Sequence, residues 1–151
     1  MKKIIALIVV CIMMFSFTGC EKKDDGNTLD VFYLNIDATA TVPEKYELKS
    51  SDESVDKQVD ELLDKLSSKP DDSKLRKTIP DDVEIRKHEE NAYSCTIDFS
   101  KSYYDMTAAE EVLMRASVVR TLTQLKQITY VMFTVDKAPL MNSDGEIIGS
   151  M

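Results

Sequence analysis

The sequence that decides the fold reads YSCTIDFS at 93–100, TAAEEVLMRASVVRTLTQL at 107–125 and ITYVMFTV at 128–135. In the first segment every second residue is apolar, which predicts a β-strand with one buried face. The third segment is apolar on both faces, which predicts a strand covered on two sides. The apolar face of the first strand is predicted to consist of Tyr93, Cys95, Ile97 and Phe99.

The middle segment predicts an amphipathic helix between these two strands. It opens with Thr107-Ala-Ala-Glu110, a capping box in which a hydroxyl and a carboxylate satisfy backbone N–H groups at the helix start. Apolar residues then recur at helical spacing, so one face of the helix is expected to pack on a sheet. That face is predicted to consist of Val112, Leu113, Ala116, Val118, Val119, Leu122 and Leu125.

The preceding part of the chain predicts a second helix and two more strands. Leu29–Ile36 is rich in β-branched and aromatic residues, and Tyr46–Leu48 is predicted to be a short returning strand after Pro43. Ser50–Glu53 has the pattern of a second capping box. The helix after it is predicted to end near Ser67 and to bury Val55, Val59, Leu62, Leu63 and Leu66. Its outer face is interpreted as solvated surface and carries Asp56, Asp60, Glu61, Asp64 and Lys65.

The order of these elements predicts a two-layer α+β sandwich. Lys69–Asp82 contains two prolines and two Asp-Asp pairs and is interpreted as a loop. Val83–His88 is predicted to be a strand that turns at Glu89–Asn91 into the strand at 93–99. The resulting order is strand, helix, strand, strand, helix, strand. It favours a mixed sheet of about four strands with two helices on one face.

The N-terminus has the features of a lipoprotein signal peptide. Met1-Lys2-Lys3 is basic, and Ile4–Phe17 is an apolar run interrupted only by Ser16. This run is too short for a typical membrane-spanning helix but suits a signal peptide. Phe17-Thr-Gly-Cys20 resembles the lipobox of bacterial lipoproteins, although Phe17 replaces the usual leucine. We therefore expect cleavage between Gly19 and Cys20 and lipid attachment at Cys20; an uncleaved signal anchor is the alternative.

These features divide the chain into three parts. Residues 1–19 are predicted to be the signal peptide, 20–28 a polar tether and 29–151 a single domain. The expected location is the extracytoplasmic face of the cell membrane, where the lipid on Cys20 holds the protein. The net charge of −8 argues against nucleic acid as a partner, because phosphate binding requires a basic face.

Cysteine and histidine usage gives no support for catalysis. Of the three cysteines, Cys11 lies in the signal peptide and Cys20 in the lipobox, so Cys95 is predicted to be a buried, unpaired thiol. His88 is the single histidine, which excludes a multi-histidine metal centre, and its position beside a turn predicts solvent exposure. We found no nucleophile elbow and no phosphate-binding loop. The sequence therefore predicts neither an enzyme nor a cofactor.

Several short motifs, in their order and spacing, resemble the GerMN domain of sporulation and spore-germination proteins. The resemblance covers roughly Leu29 to Met151. The residues that carry it are Leu66, Pro70, Ile79-Pro80, Tyr93–Ser100, Val119–Leu125 and Val131–Asp136. Germination proteins of this family usually carry two copies of the domain, whereas this chain has one.

The resemblance implies a non-catalytic domain on a secreted or membrane-anchored lipoprotein, similar in build to ring-building domains that assemble channels between mother cell and forespore. We therefore expect an envelope lipoprotein that assembles with itself or with a membrane complex. The alternative is a surface lipoprotein that binds a wall fragment or a sugar, which would require exposed aromatic side chains. The candidates for such a surface are Tyr33, Tyr46, Tyr103 and Tyr104.

The C-terminus predicts a hairpin with a short second strand. Asp144-Gly145 is a strong hairpin turn signal, but Glu146–Met151 leaves few apolar positions for a returning strand. The sequence therefore predicts either an incomplete chain, since the family tends to run on past Gly149, or a weak, uncovered edge at Leu140-Met141, and with it self-association at high concentration.

Overall fold

The computed structural model describes residues 27–142 and 144–151. The predicted signal peptide, Gly19 and Cys20 lie outside the described residues. Within these ranges, none of the helices combines the length and the apolar character needed to cross a bilayer.

The first sheet contains three strands in the order β2-β1-β3. β1 (Thr28–Asn35) pairs antiparallel with β2 (Thr41–Glu47) and, on its other edge, with the two-residue strand β3 (Leu75–Arg76). The β1–β2 turn is held by Asn35, whose Oδ1 accepts from two backbone N–H groups at 2.8 and 3.0 Å. Pro43 is tolerated because β2 is an edge strand.

The second sheet contains four strands in the order β4-β5-β6-β7. These strands are β4 (Ile85–Asn91), β5 (Ser94–Phe99), β6 (Tyr130–Val135) and β7 (Ala138–Pro139). β5 and β6 are parallel and the other pairs are antiparallel. A 3-10 turn (Lys101–Asp105) and helix α2 (Ala108–Leu122) make the crossover that parallel pairing requires.

The mixed α+β class with two helices is confirmed, but the strands divide between two sheets rather than forming one. β1 pairs with β2 on one edge and with β3 at Leu34 and Asn35 on the other, and its Asp30 and Phe32 backbone groups bond side chains of α2 and the following turn instead of a strand of the second sheet. Helix α1 (Val55–Ser67) contacts β1 and β4, and α2 contacts β1 and β6, so the helices join the two sheets.

Helix α2 begins at the predicted capping box, but its buried face differs from the prediction. The Thr107 hydroxyl and the Glu110 carboxylate make the reciprocal hydrogen bonds of the box. The predicted core residue Val112 is 53% exposed. The helix instead turns a more polar face inward, where Thr121 Oγ1 accepts from Phe32 N at 3.1 Å. Its buried residues are Met114, Arg115, Ser117, Val118, Thr121 and Leu122.

Two strand predictions need correction. Tyr93 does not belong to the buried face, because Ala92 has φ = 53° and turns the chain, leaving Tyr93 67% exposed before β5 begins. β6 is fully buried on one face and not on two as predicted: Val131, Phe133 and Val135 are buried, whereas Tyr130 on the other face is exposed. Cys95, Ile97 and Phe99 are buried, as predicted.

Helix α1 starts later than the sequence predicted. Its N-cap is Ser54, whose hydroxyl accepts from Lys57 N at 3.5 Å, and not Ser50. Ser50 is part of the preceding turn, where its backbone N–H donates to Glu61. The predicted apolar stripe of α1 is confirmed, with Val59, Leu62, Leu63 and Leu66 buried and Val55 packed against the core.

The edge predicted to be uncovered at Leu140-Met141 is covered by the returning C-terminal segment. Ile148 N donates to Leu140 O at 2.8 Å, and Met141 forms a bridge with Ile147. Met151 exchanges two backbone hydrogen bonds with Val131, at 2.8 and 3.0 Å. Backbone hydrogen bonds from an irregular segment are enough to cover this edge. The number of apolar residues in the C-terminal segment does not predict such hydrogen bonds.

Candidate functional site

The described residues contain one conspicuous group of ionisable side chains, centred on His88. His88 lies on β4 and faces α1, and only 11% of its side chain is exposed. The predicted solvent exposure of His88 is therefore wrong. β4 continues through the residues expected to form a turn, so that His88 lies within the strand and beneath the helix.

Three carboxylates surround the His88 ring. Nδ1 lies 2.7 Å from Glu90 Oε1, and Nε2 lies 2.7 Å from Asp60 Oδ1. Asp56 Oδ1 lies 4.0 Å from Nδ1. We call these four residues the His88 cluster. Asp56 and Asp60 come from α1, and the other two come from β4, so the cluster joins the helix to the edge strand of the second sheet.

The carboxylates favour the charged form of His88. Burial alone would lower the pKa of His88, but hydrogen bonds and charge from Asp60 and Glu90 raise it above its ordinary value. Two of the acids predicted to be solvated on α1, Asp60 and Glu61, therefore have specific partners. Residues two apart on a strand share a face, so the spacing of His88 and Glu90 is the sequence signal that places their side chains together.

Cys95 lies beside the cluster and is buried, as predicted. It is 0% exposed, and its Sγ lies 4.0 Å from Glu90 Oε1. Burial, followed by the Glu90 charge, raises the pKa of the Cys95 thiol to about 12. Thiolate formation is thus suppressed at neutral pH.

We therefore expect native Cys95 to react with a bulky thiol reagent only after denaturation. Both the absence of exposure and the raised pKa disfavour attack by the thiolate. Labelling of a Cys11→Ala, Cys20→Ala variant isolates this thiol, and the rates in buffer and in denaturant are compared. Equal rates would contradict the burial of Cys95.

Glu61, in the middle of α1, forms a second polar site with the turn that precedes this helix. One of its carboxylate oxygens accepts from Tyr46 Oη at 2.6 Å and from Lys49 N at 2.9 Å, and the other accepts from Ser50 N at 2.8 Å. Although burial opposes ionisation, these hydrogen bonds lower the pKa of Glu61 from 4.5 to about 2. The carboxylate holds the turn between β2 and α1.

Replacing Glu61 with glutamine is expected to lower the free energy of unfolding at pH 7 by about 1.5–3 kcal/mol, the range for hydrogen bonds to charged groups. Because the folded-state pKa is depressed, the contribution of Glu61 is present above the unfolded-state pKa and is lost as the pH falls towards 2. Urea unfolding between pH 7 and pH 3 measures both effects. Asp64→Asn, at an exposed position of the same helix, is the control; an equal change in both variants would contradict the role of Glu61.

The aromatic residues proposed for sugar binding do not form a common surface. Tyr33 and Tyr103 are buried, at 0% and 1% exposure, and their hydroxyls donate to Lys65 O and Glu111 Oε1. The Tyr46 hydroxyl is bound to Glu61. Of the four candidates, Tyr104 alone is largely exposed, at 55%.

A group of exposed apolar side chains lies instead at one end of the second sheet. Tyr93 precedes β5, and its carbonyl accepts from Thr129 N at 2.7 Å. Tyr130 pairs with Ser94 at the start of the parallel strands, and Met151 pairs with the next residue of β6. Tyr93, Tyr130 and Met151 are 67%, 39% and 43% exposed. We call these three residues the tyrosine end.

The family of the chain follows from its sequence. The sequence model of the family described as "Sporulation and spore germination" matches residues 30–141, which is most of the described domain. None of the curated proteins is similar enough in sequence to match.

Solved structures agree with this match at the level of the fold. The chain is similar to the first GerMN domain of the sporulation protein GerM from Bacillus subtilis, with 18% identity and a TM-score of 0.62 over 81% of this chain and 93% of that one. It is also similar to the tandem GerMN domains of the same protein, with 18% identity and a TM-score of 0.58 over 81% of this chain and 44% of that one. The chain thus has the mixed α+β fold of one GerMN domain.

Proposed function

Because the chain belongs to the sporulation and spore germination family, we propose that it is a non-catalytic envelope lipoprotein that acts in sporulation or spore germination. In this proposal the lipid on Cys20 holds the protein at the extracytoplasmic face of the cell membrane. Its single GerMN-like domain assembles with itself or with a membrane complex. The family match over residues 30–141 is the observation that carries the proposal.

The N-terminal sequence supports the lipid anchor. A basic start, a short apolar run and Gly19-Cys20 follow each other in the order required for lipoprotein processing. The tether at 20–28 reaches the first residue of β1, Thr28, directly. Even fully extended, such a tether spans only about 30 Å, so the domain stays close to the membrane surface.

The tyrosine end supports assembly through protein contacts. Exposed tyrosine and methionine side chains are enriched where proteins meet, because they bury large apolar area on contact. Here two exposed tyrosines and one exposed methionine are placed by backbone pairing at the same end of the second sheet. The binding of a sugar has no comparable support in the described residues.

The surroundings of His88 and Cys95 support a non-catalytic role. His88 is held between carboxylates on both ring nitrogens. Cys95 is buried, and the pKa of its thiol is raised to about 12. In the described part of the chain, neither of these two residues is available as a nucleophile or a free base.

The timing of expression tests the proposed role. A fluorescent reporter fused to the gene's promoter, read alongside a vegetative control promoter, is expected to respond only during sporulation. Deletion of the gene is expected to lower the yield of germinating, heat-resistant spores and to leave vegetative growth unchanged. Constant expression through vegetative growth, with normal spores from the deletion strain, would contradict the proposal.

A further inference from the structure

We propose that Asp56, His88 and Glu90 bind a divalent transition-metal cation of the Zn²⁺ type, with Asp60 as a positioning residue for the His88 ring. This site is independent of the proposed role in sporulation, since it rests only on the side chains between α1 and β4.

The three proposed ligands already converge. One ligand atom from each of Asp56, His88 and Glu90 lies within 4.8 Å of the other two. His88 Nδ1 lies 2.7 Å from Glu90 Oε1 and 4.0 Å from Asp56 Oδ1, and the separation of about 3.3–3.6 Å between neighbouring ligands of a tetrahedral ion falls between these distances. Imidazole nitrogen and carboxylate oxygen bind Zn²⁺ at about 2.0–2.2 Å, so the ligand atoms need to move by little to enclose an ion.

The far side of the imidazole has the partner that a metal-binding histidine requires. Nε2 lies 2.7 Å from Asp60 Oδ1, so a proton on Nε2 is donated to Asp60. When no ion is bound, Nδ1 of the charged ring donates a proton to Glu90; an ion that displaces this proton meets a lone pair directed towards Asp56 and Glu90. A carboxylate in this position fixes the tautomer and orientation of a metal-bound histidine and strengthens its basicity.

The charges and the space around the cluster also suit a cation. Three carboxylates face one imidazole, and Lys57 Nζ lies 3.9 Å from Asp60 Oδ2. Arg86 and Lys87 also line the adjoining cavity, but they are paired with Asp136 and Glu89 outside the cluster. A single proton on His88 leaves this charge undercompensated, whereas a divalent ion neutralises most of it. An open cavity of about 340 Å³ adjoins the cluster, is lined by Asp56, Asp60 and His88, and gives a path to solvent.

The donor set selects the class of ion. One imidazole with carboxylates suits Zn²⁺, Ni²⁺ or Cu²⁺ better than Ca²⁺ or Mg²⁺, which prefer oxygen donors alone. Three protein ligands leave a coordination position for water. Because Asp56 comes from α1 and the other two ligands come from β4, a bound ion would cross-link the helix to the edge of the second sheet.

Calorimetric titration of the metal-free full-length protein in detergent with Zn²⁺, and with Mg²⁺ for comparison, tests the proposal. We expect one Zn²⁺ per chain, a higher melting temperature with Zn²⁺, and little response to Mg²⁺. Asp56→Asn and Glu90→Gln, which keep the size of each side chain, are each expected to weaken Zn²⁺ binding at least tenfold. Asp60→Ala is expected to weaken it by about 10–100-fold, the range for outer-shell partners.

Asp64→Asn is the matched control, because Asp64 lies on the same helix and lines the same cavity but does not belong to the converging ligand set. It should bind Zn²⁺ like the unaltered protein. Asp56 is largely exposed, with 59% of its side chain accessible, so Asp56→Asn tests the site without endangering the fold. Failure of the unaltered protein to bind Zn²⁺ at millimolar concentration, or equal binding by Asp56→Asn, Glu90→Gln and the control, would overturn the proposal.

Discussion

Phe99→Ala is expected to lower the free energy of unfolding by about 3–5 kcal/mol, which is a large part of the stability of a small domain. Phe99 is 0% exposed and stacks between Tyr103, at 5.5 Å between ring centroids, and Phe133, at 6.1 Å. Removing the ring leaves a cavity where β5, β6 and the 3-10 turn meet. Urea denaturation followed by circular dichroism measures the loss.

Val112→Ala is the matched control for this experiment. The sequence placed Val112 on the buried face of α2, but the side chain is 53% exposed. Its replacement should change the free energy of unfolding by less than about 0.5 kcal/mol, as is usual for surface positions. A loss below 1 kcal/mol for Phe99→Ala, or an equal loss for both variants, would contradict the description of the core.

Cys20→Ala is expected to abolish lipid attachment, the largest effect predicted in the cell. Without the thiol no acyl chain can be added, so the protein should appear in the medium or remain as the unprocessed precursor. One acyl chain binds a membrane only marginally, so we expect two or three on the unaltered protein. Fractionation of cells followed by immunoblotting measures the distribution between membrane and medium.

Cys11→Ala is the control for the anchor. Cys11 lies inside the predicted signal peptide, and its replacement preserves the apolar run from Ile4 to Phe17. This variant should remain in the membrane fraction. Retention of Cys20→Ala in that fraction as a processed protein would contradict the anchor.

Local signals in the sequence identified most of the elements correctly. The capping box at Thr107–Glu110 was predictable because both partners lie within one helical turn. The similar pattern at Ser50–Glu53 predicted a capping box that does not form. The backbone N–H of Ser50 instead donates to Glu61, eleven residues further along the chain. The division into two sheets depends partly on β3, which is too short for any periodic signal.

The candidate site was less predictable because its parts are distant in sequence. Asp60 and His88 are separated by 28 residues and meet only when α1 packs on β4. Acidic residues on a helix are usually solvated, so their pattern alone gave no reason to expect partners. Tyr93 was assigned to the core because it continues the alternation of β5. The positive φ of Ala92 takes Tyr93 out of the strand. Alanine rarely adopts a positive φ, so the sequence does not indicate this turn.

The most direct test of assembly at the membrane is photo-crosslinking in sporulating cells at the tyrosine end. A photoreactive phenylalanine analogue replaces Tyr93 or, as control, Tyr104, which is similarly exposed at 55%. Because Tyr93 precedes the six-residue strand β5 and Tyr104 follows it, the two positions are about 20 Å apart. We predict discrete crosslinked products, to a second copy or to one membrane protein, from position 93 and not from position 104. No product from position 93, or the same products from both positions, would contradict assembly through this surface.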